Sequence, residues 1–374
     1  MSRDYRRVKK NYSFFIQRPI IVTDGQGGGG TVDATRMRRT YYSTRLGGSV
    51  FIIPVVEESV GSVPVVSAVN YPRIDIAGGG QRVVVTVDSS TGCTAISAGG
   101  VAFTSFAIDN ATHVSGIPGA HAAGVVDVIV TNATGTSTGG TGLIEYWSPL
   151  QITGITRYFD SNKSVTDAGA GAVSQWVDQT VNADTQVQAV GANRPIQTAD
   201  VFGTGCPSIK FTPEQWVAGS GESAITPFSM FAIVKYTSSD ATATDTVLNP
   251  SLTILGGSGW SDFGMSAGAI AYKSFDVAEE SWGTNCNDGN SHLVGMTSDA
   301  TPTRKGYKDG AEVGSPSALG GVAAAYWDHI GDGYGNVDGF DGDIGAIITL
   351  GATVISVGDL ANLTGWAQQR FGTP

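Results

Sequence analysis

The sequence has 374 residues and a net charge of −11, with only 15% Asp, Glu, Lys and Arg, a length that accommodates two or three domains with cores of their own. Glycine occurs 52 times, about twice ordinary usage, and Ala, Thr, Ser and Val are abundant, which suits short strands joined by many turns rather than long amphipathic helices. The composition therefore points to an all-β chain, and excludes a membrane helix of 18 apolar residues as well as a disulfide framework or C-x-x-C metal site, because Cys93, Cys206 and Cys286 stand far apart.

Residues 1–64 have the character of an arm. Residues 1–50 carry ten Lys or Arg against three acids, a local net of +7, whereas the other 324 carry twelve against thirty, a net of −18. That split predicts a basic segment that meets an acidic partner while the body stays soluble. The candidate anchoring residues are Arg3, Arg6, Arg7, Lys9, Lys10, Arg36, Arg38 and Arg39; they match no DNA- or RNA-binding module, which argues against nucleic acid. The apolar patch Phe14-Phe15-Ile16 is cut off by Gln17-Arg18-Pro19, too short for a signal peptide, so the expectation is a protein kept in the cytoplasm or released by lysis. Gly25, Gly27 and Gly30 spell G-x-G-x-x-G after Ile20-Ile21-Val22. A dinucleotide loop needs a helix directly after the glycines, but here Thr31-Val32-Asp33 and an Arg cluster follow. The tract is expected to be a joint.

Between residues 65 and 149 the runs "RVVVTV", "VAFTSFAID", "VVDVIVTN" and "GLIEYW" alternate with turn-rich segments, the spacing of a small immunoglobulin-like sandwich. The stretch "GIPGAHAAGVVDVIVTNATGTSTGG", Gly116 to Gly140, and the opening "YPRIDIAGGGQRVVVTV" resemble the IPT/TIG family of immunoglobulin-like domains. A literal G-x-S-x-G at Gly135 to Gly139 lies between two strand-like runs and lacks the strand-to-helix turn of a nucleophile elbow.

Residues 150–374 contain "FSMFAIVKY", "HLVGMTSDATPTRKGYKDGAEVGS", "FDGDIGAIITL" and "VGDLANLTGWAQQRFG". Asp309-Gly310 predicts a tight hairpin. Asp359 stands where a helix could begin, with Leu360, Leu363 and Trp366 recurring at spacings of three. The His292-Leu293-Val294 strand, the Tyr-x-Asp-Gly hairpin and the closing helix with Trp366 resemble the laminin-G/concanavalin A-like jelly-roll superfamily. The fold that follows is all-β: a small immunoglobulin-like sandwich, then a larger jelly roll, behind an extended N-terminal arm.

Catalytic patterns are sparse. His113, His121, His292 and His329 form no metal or triad spacing, and the resemblance gives His292 a packing role. Glu279-Glu280 are adjacent, and Glu214, Glu222 and Glu312 read as turn residues, not the alternating carboxylates of a jelly-roll glycosidase. The expectation is a protein that is not an enzyme. In "WDHIGDGYGNVDGFDGDIG", Asp332, Asn336, Asp338, Asp341 and Asp343 offer hard oxygens of the kind Ca²⁺ takes, but turn chemistry accounts for the same residues, and no cofactor is expected. Trp260, Trp282, Tyr326, Trp327 and Tyr334 stand in or beside polar Gly-rich segments, where exposed rings can stack on sugars, although packing is the favoured reading of each tryptophan there; Trp176 and Trp216 read as core. The candidate ligand-binding residues are Trp327, Asp332, Tyr334, Asn336 and Asp338.

This order of arm, immunoglobulin-like module and lectin-like jelly roll resembles a bacteriophage virion protein. The resemblance implies a capsid decoration protein or head fibre, anchored by its arm to the major capsid protein or another virion component, with glycans and a second copy as further partners and no membrane. The alternatives are a tail-fibre receptor-binding protein and a non-viral carbohydrate-binding adhesin.

Overall fold

The computed structural model describes residues 41–46, 49–54 and 62–374, the last range without 138–139, 213, 226, 237–243, 255–256, 267–268, 275–276, 302, 318–323 and 332–339. The chain divides into Met1–Val60 and Gly61–Pro374. In the first unit, Tyr41–Leu46 and Ser49–Pro54 form an antiparallel hairpin with Tyr42 opposite Ile53 in register, and both runs are rich in the aromatic and β-branched residue types that favour strands. The anchoring candidates Arg3, Arg6, Arg7, Lys9, Lys10, Arg36, Arg38 and Arg39 lie outside the described residues.

The second unit begins with a small sandwich. One sheet runs in the order Val66–Val69, Val83–Val87, His113–Ile117, Thr104–Asn110; the facing one runs Gly135–Thr136, Val128–Asn132, Cys93–Ala98, Val101–Ala102. Val83, Val85 and Val87 point inward at every second position and meet Ile96, Val114, Val128 and Val130. The run "VVDVIVTN" is two strands. Gly124–Val126 pairs with Ile144–Trp147, whereas Val128–Asn132 pairs with Cys93–Ala98. Asp127 sits at the switch, its carboxylate accepting the Gly142 N–H. The Ser137 hydroxyl accepts the Val130 N–H at 3.0 Å, a structural role for the serine of the literal G-x-S-x-G.

Two large antiparallel sheets follow, of nine and eight strands among the described residues. The eight-stranded sheet centres on Phe228–Tyr236, Ser291–Ser298 and Gly342–Leu350, which are buried at nearly every position. Their side chains alternate between two apolar layers rather than between core and solvent. Met230, Val234, Val294, Met296 and Ile347 share the inter-sheet core with Trp176, Phe211, Phe263 and Trp282. On the opposite face Phe231, Ile233, Leu293 and Ile348 pack with Leu363, Trp366 and Phe371 of helix α1, Val357–Phe371.

Helix α1 starts at Val357, two residues before Asp359, because Ser356 is its cap. The Ser356 hydroxyl accepts the Asp359 N–H at 3.0 Å and donates to the Asp359 carboxylate at 2.8 Å. Gly372 closes the helix in the left-handed region at φ +65°. The Tyr-x-Asp-Gly hairpin forms as expected, with Lys308 opposite Ala311 and positive φ at both Asp309 and Gly310.

Helix α1 has a second partner, the small sandwich. Arg370, its side chain 1% exposed, lies 3.0 Å from Asp75 of the strand Arg73–Asp75 and 3.0 Å from Asp160 of the strand Ile155–Asp160. Both carboxylates are fully buried. Trp366 donates its indole N–H to Asp75 at 2.5 Å, and Tyr158 donates its hydroxyl to Asp160 at 2.7 Å. Lys163 reaches Asp160 at 3.4 Å, so two cations face two anions. Burial pushes the Asp160 carboxyl up, but Arg370 and Lys163 outweigh it and hold it below the usual carboxylate value. Beside this network Gln369 donates to the Gly79 carbonyl at 2.8 Å, and its own carbonyl accepts the Gln81 N–H at 2.7 Å. Gly80 (φ +78°) permits this approach: a Cβ there would stand 2.6 Å from the Gln369 carbonyl oxygen.

Removing one partner of a buried ion pair strands the others, at a cost of about 3–5 kcal/mol. Arg370→Ala is therefore expected to lose that much in denaturant unfolding. Combining Arg370→Met with Asp75→Asn and Asp160→Asn should recover most of it; equal destabilisation of the two variants would exclude charge stranding as the cause. Gly295→Ala places a Cβ 2.1 Å from the Phe231 ring and should lower stability by about 1–3 kcal/mol, measured the same way.

Candidate functional site

Where the two sandwiches meet, a groove of about 580 Å³ opens to solvent. One wall is Asn70-Tyr71-Pro72-Arg73, the turn that enters the strand Arg73–Asp75. Pro72 has no N–H to give a neighbouring strand, and its carbonyl accepts the Glu145 N–H at 2.7 Å. Arg73 then stands in parallel register with Glu145 and donates to its carboxylate at 2.5 Å. The opposite wall is the Asp309-Gly310 turn and the Ala361, Thr364, Gly365 and Gln368 face of α1. The turn lies directly on the helix: a Cβ at Gly310 (φ +81°) would stand 2.4 Å from the Thr364 hydroxyl.

Behind the turn sits His292, 1% exposed. Its Nδ1 is 2.7 Å from the Asp309 carboxylate and its Nε2 is 3.0 Å from Asp288. Burial pushes the imidazole pKa down, but the hydrogen bonds to Asp309 and Asp288 outweigh it and raise the value overall. Desolvation pushes the Asp288 carboxyl up, but hydrogen bonds from Asn290 and His292 together outweigh it and bring the value to about 2. Lys308 stands nearby, donating to the Asn285 carbonyl at 2.5 Å and 4.0 Å from Asp288. A doubly protonated imidazole donates to both carboxylates; a neutral one donates to one and turns a lone pair to the other. The packing histidine of the sequence is thus an ionic clamp between the 285–290 loop and the hairpin.

Trp327, the first of the sequence-derived ligand candidates, lies inside the strand Ala324–Ile330, its backbone opposite Glu222 on one side and Pro250 on the other. Asp332, Tyr334, Asn336 and Asp338 lie outside the described residues. The structure also places the neighbouring candidates. Trp282 is 3% exposed and belongs to the inter-sheet core, because Gly306 leaves room for its ring: a Cβ there would stand 2.6 Å from the indole. Trp260 and Tyr326 fall in the strands Gly257–Ser266 and Ala324–Ile330 rather than in loops. Glu222 and Glu312 are strand residues, and Glu312 pairs with Lys305 at 2.8 Å. Asp343 is engaged by the Ser208 hydroxyl at 2.6 Å, with burial pushing its carboxyl up.

Among the described residues, no group of three or more His, Cys, Asp or Glu is placed to hold a metal ion. Among them too, no helix is long and apolar enough to cross a membrane. Sequence reasoning missed the groove. Its walls come from "NYPRI", "KDGA" and "LTGWAQ", and the available signal was confined to the charges of Arg73 and Asp309 beside turns.

No protein-family model matches the chain, and no curated protein matches it. Similar solved structures include domain 4 of AbnA, a GH43 extracellular arabinanase from Geobacillus stearothermophilus, in complex with arabinotriose. It shares 11% identity over 57% of this chain and 100% of that one, at a TM-score of 0.37. Trypanosoma rangeli sialidase in complex with 2,3-difluorosialic acid shares 12% identity over 63% of this chain, at a TM-score of 0.38; the match spans 35% of the sialidase. The botulinum neurotoxin serotype G binding domain shares 11% identity over 56% of this chain and 50% of that one, at a TM-score of 0.36.

The His292 clamp has a definite pH signature. A folded-state pKa raised above about 6.5 gives stability that is complete below that pH and is lost as pH rises through the folded value. Asp288, lowered to about 2, adds stability that is lost only as pH falls towards that value. The thermal midpoint should therefore fall on going from pH 6 to above the folded imidazole pKa, and His292→Gln should abolish that fall while lowering the midpoint at pH 6. A midpoint with the same pH dependence in both proteins would rule out the clamp.

Proposed function

We propose that the chain is a structural protein of a bacteriophage virion, a capsid decoration or head-fibre component that displays two β-sandwiches outward from a basic anchoring arm. The observation that carries this reading is the charge division, +7 over residues 1–50 against −18 over the rest. An acidic shell attracts the arm and repels the body. The buried Asp75–Arg370–Asp160 network supports it as well, because it fixes two modules against one another, as a display element requires. The titratable groups buried in the second unit also favour binding over catalysis: Asp160, His292 and Asp343 are each taken up by pairing within the protein. In this reading the protein resides in the virion, its first partner is the major capsid protein or a neighbouring component, and exposed surfaces of the sandwiches meet glycans.

The test is the copy number of this protein relative to the major capsid protein in purified particles, with a high-salt wash. Hundreds of copies, released at about 1 M salt where electrostatic screening is nearly complete, are the expected result. A handful of copies would assign the chain to the tail as a receptor-binding component. Absence from particles would overturn the virion reading in favour of a free-standing adhesin.

A further inference from the structure

We propose that the groove between the two sandwiches binds a neutral oligosaccharide. The proposal deepens the display reading by naming a ligand class and a place for it. At about 580 Å³ the groove lies within the range of small-molecule sites, with room for two or three sugar rings.

The chemistry of its walls selects the ligand. The charged groups are already paired inside the protein: Arg73 with Glu145, and Asp309 with His292. A ligand with a net charge therefore meets no unpaired counter-charge there. Besides the Thr364 hydroxyl, which donates to the Leu360 carbonyl at 2.8 Å, three neutral or partly used groups remain. Asn70 commits its side-chain oxygen to the Val84 N–H, which leaves its amide N–H groups to donate. Gln368 commits its amide nitrogen to the Pro374 carbonyl, which leaves its oxygen to accept. Arg73 uses one Nη on Glu145, and its other, Nη1, lies over Gly365, 3.7 Å from where a Cβ would be. Donors and an acceptor spread along one groove suit hydroxyl groups, each of which both donates and accepts. Tyr71 supplies a half-buried ring, its hydroxyl held at 2.7 Å by Gln81, so an aromatic surface is fixed without a further entropy cost on binding. Ala361 and Gly365 keep the helix side of the groove low, so a flat sugar ring can approach.

The probes are cellotriose, mannotriose and chitotriose, with sialyllactose as the anionic control, titrated against the full chain by calorimetry and by ligand-observed NMR. Ala361 is exposed on α1, so Ala361→Tyr fills the groove without removing any of its polar groups and without disturbing the core. The expected result is binding of at least one neutral trisaccharide, weakened about tenfold or more by Ala361→Tyr, with an unchanged thermal midpoint. Gln368→Ala should weaken it as well, by removing the acceptor. Neutral-sugar binding that survives Ala361→Tyr would move the site elsewhere and would overturn the groove while leaving a glycan-binding display protein intact. Preference for sialyllactose, or no binding of any neutral probe, would also overturn the groove. Neither outcome bears on particle copy number, which tests the display reading separately.

Discussion

The arrangement of the second unit depends on one guanidinium. Arg370 stands between Asp75 and Asp160, with its charge almost completely removed from water. Each carboxylate has further donors: Trp366 and the Ala77 N–H for Asp75, Tyr158 and the Asn162 N–H for Asp160. Such a network is costly to desolvate, and its worth lies in specifying one geometry rather than in adding net stability. Asp75 belongs to the small sandwich, Asp160 to the large one and Arg370 to the helix that covers it, so satisfying all three charges sets how the modules meet. The groove, the Gly80 contact and the position of Tyr71 all follow from that setting.

Helix α1 explains why the eight-stranded sheet can be apolar on both faces. A β-sandwich normally leaves one face of each sheet to solvent, with polar residues alternating outward. Here Phe231, Ile233, Leu293 and Ile348 would form an exposed apolar patch but for Leu363, Trp366 and Phe371. The helix is amphipathic in an unusual sense. Its apolar side seals the sheet, while Trp366, Gln369 and Arg370 carry polar atoms that reach the neighbouring module. A single element therefore finishes one core and joins two.

Much of the fold was legible because its signals are local. Glycine-rich composition and short β-branched runs gave the all-β class, Asp309-Gly310 gave a turn that only positive-φ residues make easily, and Leu360, Leu363 and Trp366 gave the helix. What was not legible is what depends on distance in sequence. Nothing near Asp75 marks it as a partner of Arg370, and "QQRFG" reads as an ordinary polar helix end. Trp282 is legible as an aromatic more apt to pack than to bind, but what seats it is Gly306 on another strand. The candidate site fared unevenly for the same reason. Trp327 is recognisable as an aromatic but its strand context comes from pairing with Glu222 and Pro250, and the groove is assembled from three segments that carry no common motif.

The Trp366–Asp75 hydrogen bond closes a span of 291 residues, which has a consequence for synthesis. The small sandwich is made early and can assemble from its own neighbours, but its seat on the large one does not exist until α1 has left the ribosome. Until then the outer face of the eight-stranded sheet is uncovered and Asp75 and Asp160 lack the Arg370 guanidinium. A chain without the helix therefore carries an apolar surface beside two acids that share only Lys163, and transiently exposed apolar surface is prone to aggregate. One late-made element, α1, therefore sets both the cover of the sheet and the seat of the small sandwich.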